Sequence, residues 1–211
     1  MSAKNEMCSA DLEAAKETGR GVIEIRVSKV NAIILGMILF FGALNFCLLG
    51  AHLSQLKIQF RLEDVDRWMF IGSVVLLIAV HEALHAVAAL QWGKVPFNSI
   101  RFGANWKFAA FYCHCDRPLT IRVHRIVLIF PLIVTTLAAG LLFWLDPAIW
   151  SLLLFSGTVS VCSGDIMIFL KLRRYGKNDL VQDHPSEPGC YIWPEGQSLD
   201  RLRQPDAFER S

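Results

Sequence analysis

Apolar residues gather into four long runs, Ala32 to Leu53, Trp68 to Leu90, Ile126 to Leu145 and Ala148 to Leu170, separated by polar stretches. Each run approaches the roughly 20 residues that a helix needs to cross a hydrocarbon layer. The pattern predicts an all-α polytopic membrane protein with about four transmembrane helices. Between the runs the period changes. Gly21 to Lys29 alternates apolar and polar positions, as do Ser99 to Phe102 and Lys107 to Tyr112 around the turn-like Gly103-Ala104-Asn105. Alternation at period two is a strand signal, so a small β-hairpin or sheet is expected beside the helices.

The same pattern divides the chain into three parts. Residues 1–30 form a polar N-terminal arm, 31–170 a four-span membrane core, and 171–211 a tail with prolines at 185, 188, 194 and 205. That composition reads as loosely ordered, and removing the tail after Asp183 is expected to spare activity. The first run begins after about thirty mixed-charge residues with no small-residue cleavage pattern, so it is read as a retained span.

Composition agrees with the runs. The 211 residues are 54% hydrophobic, with mean hydropathy +0.40, too apolar for an ordinary soluble domain. The net charge of +2 matters less than where the bases lie. The arm, the loop from Lys94 to Arg125 and the stretch from Lys171 to Lys177 are rich in Lys and Arg and share one side of a four-span chain. The other side carries Lys57, Arg61 and Arg67. The positive-inside rule places both termini in the cytoplasm, with the protein multi-pass in the cell (inner) membrane and the lipid bilayer as its solvent. These bases need no nucleic acid to explain them. The six cysteines form no disulfide-like framework, and Cys113-His114-Cys115 is tighter than the usual spacing of structural zinc sites.

Within the second run stands His81-Glu82-Ala83-Leu84-His85. Ionisable groups inside a span cost roughly 2.5 to 3.5 kcal/mol each on insertion scales, so three within five residues imply a compensating partner. Histidines at i and i+4 project from one helix face and can both reach one Zn²⁺. Glu82 lies about 100° further round, where it can take a proton from a water rather than hold the metal. A catalytic zinc takes three protein ligands. Asp165, in Ser163-Gly164-Asp165, is the one carboxylate inside the fourth run. It lies five residues before the end of that run, a depth close to that of His81 and His85, nine and five residues before Leu90. Ser156, Ser160 and Gly164 on the fourth span and Ala79, Ala83 and Ala86 on the second form small-residue stripes expected to bring the two spans together. His114, His124 and Cys113 are alternative third ligands.

An H-E-x-x-H in one span, an aspartate in a later one and a cytoplasmic-facing site resemble the intramembrane metalloproteases of the site-2 protease type. The short four-span layout is most similar to the small bacterial membrane proteins called "putative zincin peptidases". The resemblance covers about Trp68 to Leu170 and implies His81 and His85 as zinc ligands, Glu82 as base and Asp165 as third ligand. Here glycine precedes the aspartate, whereas site-2 proteases usually present Leu-Asp-Gly. The expected activity is hydrolysis of membrane-embedded or membrane-proximal protein substrates by a zinc-activated water. The expected substrate-binding residues are Arg101, Phe102, Ala110 and Phe111, on strands that an unwound substrate could join. The alternative is a non-catalytic membrane metal-binding scaffold or a metal carrier. A carrier would need a polar path through the spans, and a scaffold would have no use for Glu82.

Overall fold

A computed structural model describes residues 22–59, 67–105, 110–184 and 189–193. Strand β1 (Ile23–Arg26) leads into helix α1 (Lys29–Leu53), and α2 (Arg67–Gly93) follows. A single 3-10 turn, Phe97–Ser99, precedes β2 (Ile100–Asn105), β3 (Ala110–Cys115) and the short β4 (Leu119–Thr120). Then come α3 (Ile121–Leu145), α4 (Ile149–Val161), α5 (Ser163–Leu172), β5 (Leu180–Asp183) and β6 (Gly189–Trp193). Four helical segments, Lys29–Leu53, Phe70–Gly93, Ile121–Leu145 and Ile149–Leu172, are long and apolar enough to cross a membrane, which indicates a multi-pass membrane protein. Large apolar side chains along α1, among them Ile33, Ile34, Met37, Ile38 and Phe41, stay exposed, as suits a lipid-facing helix.

Helix α1 lies along α4, α2 along α3, and α3 also touches α4 and α5. The buried residues of α3, including Ile121, His124, Leu128, Pro131, Thr135 and Ala139, recur at three- and four-residue spacing, so one stripe faces the bundle. Thr120 caps α3 by accepting from the Val123 N–H (3.4 Å). Pro131 sits inside this helix, and Thr135 Oγ1 donates to the Pro131 carbonyl (2.7 Å).

Three expectations change. The fourth run is interrupted at Cys162, which joins α4 to α5. The small-residue stripe of that run is turned partly to the first span: Ser160 Oγ donates to the Gly36 carbonyl (2.9 Å), and a Cβ on Gly36 would lie 3.2 Å from Ser160 Oγ. Of the stripe expected on the second span, Ala79 and Ala83 are exposed and Ala86 is buried, so two of its three residues make no small face against another span. The expected turn at Gly103-Ala104-Asn105 belongs to β2, and the connection to β3 falls in residues 106–109, outside the described residues, as do 107–109 of the second expected strand.

The tail differs most. The order β1-β6-β5-β4 makes a four-stranded antiparallel sheet in which the tail strands β5 and β6 join the N-terminal β1 to β4. Its inner face packs Ile25, Val181, Cys190 and Ile192 against Ile121, Leu128 and Leu172 at the ends of α3 and α5. The hairpin β2-β3 is a separate sheet. Gly189 is required where β6 crosses β1, because a Cβ there would meet the Ile25 carbonyl oxygen at 2.1 Å. Ending the chain after Asp183 would therefore strip β6 from this core. Loss of buried Ile192 alone costs about 1.5 to 3 kcal/mol. Such a truncation is expected to lower the thermal midpoint in detergent markedly relative to one ending after Trp193, which keeps every described strand. Equal midpoints for the two truncations would contradict this packing.

Candidate metal centre

Helix α2 runs unbroken through the His-Glu-x-x-His segment, so His81 and His85 lie one turn apart on one face, 4% and 8% exposed in a region of apolar neighbours. Asp165 arrives from the first turn of α5, just after the break. His81 Nε2 is 3.0 Å from Asp165 Oδ2, His85 Nε2 is 3.3 Å from the same oxygen, and the two Nε2 atoms are 3.2 Å apart. Among the described residues these three form the one cluster whose donor atoms converge as metal ligands would.

The donor set and its spacing fit zinc. Tetrahedral bonds of roughly 2.0 to 2.2 Å put neighbouring ligand atoms roughly 3.3 to 3.6 Å apart, a little wider than the observed triangle of 3.0 to 3.3 Å. Two imidazole nitrogens and one carboxylate oxygen are also the donor types of hydrolytic zinc sites. The His85 Nδ1–H donates to the Val127 carbonyl on α3 (2.9 Å), which leaves the Nε2 lone pair free for a cation. His81 Nε2 and Asp165 Oδ2 lie within 3.3 Å of that nitrogen, so a cation between them would meet all three donor atoms.

Glu82 is half-buried beside this triangle rather than part of it. The backbone of Cys113 on β3 is turned toward its carboxylate. The ladder of the hairpin explains how. The Asp116 N–H donates to the Ser99 carbonyl (2.8 Å), so the hydrogen-bonded pairs are Arg101 with His114, Gly103 with Tyr112 and Asn105 with Ala110. The N–H groups of Phe111, Cys113 and Cys115 therefore point out of the hairpin. That of Cys115 donates to Asp183 Oδ2 (3.2 Å), and the other oxygen of Asp183 lies 3.6 Å from buried His124 Nε2. A tail residue thus holds the hairpin edge by a hydrogen bond and brings its charge close to His124 of α3.

The four expected substrate residues separate in the same way. Phe102 and Phe111 share a hairpin face with Cys113 and are 55% and 51% exposed. Arg101 shares the opposite face with His114 and pairs with Asp116 (Nε to Oδ2, 2.5 Å). Ala110, the first residue of β3, is in register with that second face. The alternative ligands also find other partners. His114 Nε2 meets Asp116 Oδ1 (3.1 Å), and strand alternation turns it away from the thiols on either side of it. Burial pushes the Cys113 thiol up to about 12 and raises that of Cys115, and neither joins the cluster of converging donor atoms.

The Val127 carbonyl could not be read from the sequence, because any residue type supplies a backbone oxygen. Cys162, which lies against His81, carried one legible signal: it stands three residues before Asp165, one turn away on the same face.

A family model described as "Putative zincin peptidase" matches residues 74–180, half of the chain. The match includes both histidines, Glu82 and Asp165, the hairpin and α3 to α5. No curated protein and no solved structure matches.

Proposed function

The chain belongs to the family described as putative zincin peptidases, and on that premise we propose that it is an intramembrane zinc metalloprotease cutting membrane-embedded or membrane-proximal protein substrates. The observation that carries this reading is the convergence of His81, His85 and Asp165 to within 3.3 Å inside apolar helices, with Glu82 alongside.

His81, His85 and Asp165 would hold the metal. Zinc there supplies a Lewis acid that polarises the scissile carbonyl and makes water a better nucleophile near neutral pH. Glu82 accepts the proton of the attacking water and returns it to the leaving amine. The Val127 carbonyl holds His85 in orientation, and Glu82 faces the edge of β3 at Cys113. That edge also offers a place for substrate. A helical substrate keeps its carbonyls in intrahelical bonds, so it must be unwound before attack. The outward N–H of Phe111, next along the edge from Cys113, can pair with such an extended segment close to Glu82.

Proline tests this arrangement. At Phe111 it removes an outward donor and is expected to slow cleavage at least about tenfold with zinc retained, by analogy with other lost edge contacts. At Arg101 or Ala110 it instead breaks the inner ladder and loosens the hairpin itself. Unimpaired cleavage of a membrane-protein panel by Phe111→Pro would remove the edge from the account.

For localisation, we place the protein in the cell (inner) membrane with both termini and the hairpin on the cytoplasmic side, from the distribution of Lys and Arg. Cys190 is a poor reporter of this, since it is 0% exposed and burial pushes its thiol up to about 12. Lys57 and Lys177 are exposed and lie on opposite sides. An impermeant maleimide is expected to label Lys57→Cys in intact cells and Lys177→Cys only after permeabilisation. The reverse pattern would invert the topology.

A further inference from the structure

We propose that Cys162 is the positioning residue that orients His81 toward the metal, an inference resting on the zinc-site reading above. Its Sγ lies 3.8 Å from His81 Nδ1, and the residue is 0% exposed. The thiol donates to the Thr158 carbonyl one turn back (3.3 Å), so its proton is directed away from the imidazole. The sulfur lone pairs are left to accept the Nδ1–H of His81. That holds the ring proton on Nδ1 and turns the Nε2 lone pair toward Asp165 and His85, where the other donor atoms converge.

The sulfur is a partner rather than a ligand because it sits on the Nδ1 side of the ring, whereas the converging atoms are on the Nε2 side. The two histidines are thus held by different acceptors: His85 by a carbonyl at 2.9 Å, His81 by a thiol at 3.8 Å. The break between α4 and α5 links this role to the third ligand. Cys162 is the hinge residue, its carbonyl accepts from the Ile166 N–H (3.0 Å), and Asp165 follows one turn later. One local feature therefore delivers a ligand and the group that aims a second ligand.

The test uses full-length protein in detergent, loaded with zinc and titrated with a chromogenic chelator. Cys162→Ala and Cys162→Val are expected to weaken zinc binding about tenfold, the lower end of the range for lost outer partners of metal-bound histidines. Cys162→Ser keeps an acceptor and is expected to stay within about threefold of the native chain. Valine fills the space that alanine leaves, so it decides the matter if the alanine protein fails to fold. Native affinity in both the alanine and valine proteins would overturn the proposal, as would equal weakening by serine. A sulfur-to-cobalt charge-transfer band in the cobalt-loaded native chain, lost in Cys162→Ala, would also overturn it by making the sulfur a ligand. A native chain that takes up no zinc would instead fail the metal-site reading, a result distinct from any difference among variants.

Discussion

Glu82→Gln is expected to carry as much zinc as the native chain and to cleave at least about 100-fold more slowly, within the range typical of a lost general base. The division of labour at the site is the reason. Glu82 lies outside the triangle of donor atoms, so losing its charge leaves the ligands in place. Glutamine has nearly the same shape, but it cannot accept a proton from water. Metal content by mass spectrometry and cleavage of a membrane-protein panel read the two properties separately. Loss of zinc in this variant would move Glu82 into the coordination set.

The converse pattern is expected of the triangle. His81→Ala, His85→Ala and Asp165→Ala should each weaken zinc binding well beyond the roughly 10- to 100-fold typical of outer-shell changes, and cleavage should fall with the metal. Asp165 is the most informative of the three. It belongs to α5, far in the chain from the histidine motif, and its Oδ2 closes both remaining edges of the triangle at 3.0 and 3.3 Å. Its removal leaves two imidazole nitrogens 3.2 Å apart and no anionic donor. Zinc bound as tightly in dialysed Asp165→Ala as in the native chain would exclude it as third ligand.

The helices and the site were legible for different reasons. Twenty-residue apolar runs have few other uses, so the spans could be located from length alone. The i, i+4 histidines share a face in any helix, and Asp165 could be matched to them by depth because both lie on spans ending at the same side. The break at Cys162 was not legible: hydropathy continues through it, and Cys-Ser-Gly is only a weak helix breaker. The packing partner of the Ser160 stripe was hidden for a related reason, since a small residue permits close approach without choosing the helix that approaches. The tail misled through composition. Its strands are four and five residues long and set among prolines, and β6 gains its stability from β1, at the far end of the chain. Such long-range pairing leaves almost no local signature.

The most direct measurement of the central claim is zinc content and proteolysis of the purified native protein in detergent or proteoliposomes, before chelation, after chelation and after zinc is restored. The account predicts about one zinc per chain, cleavage of at least one membrane-protein substrate, loss of cleavage on chelation and recovery with zinc. A chain that binds no zinc when folded, or whose cleavage is indifferent to chelation, would contradict it.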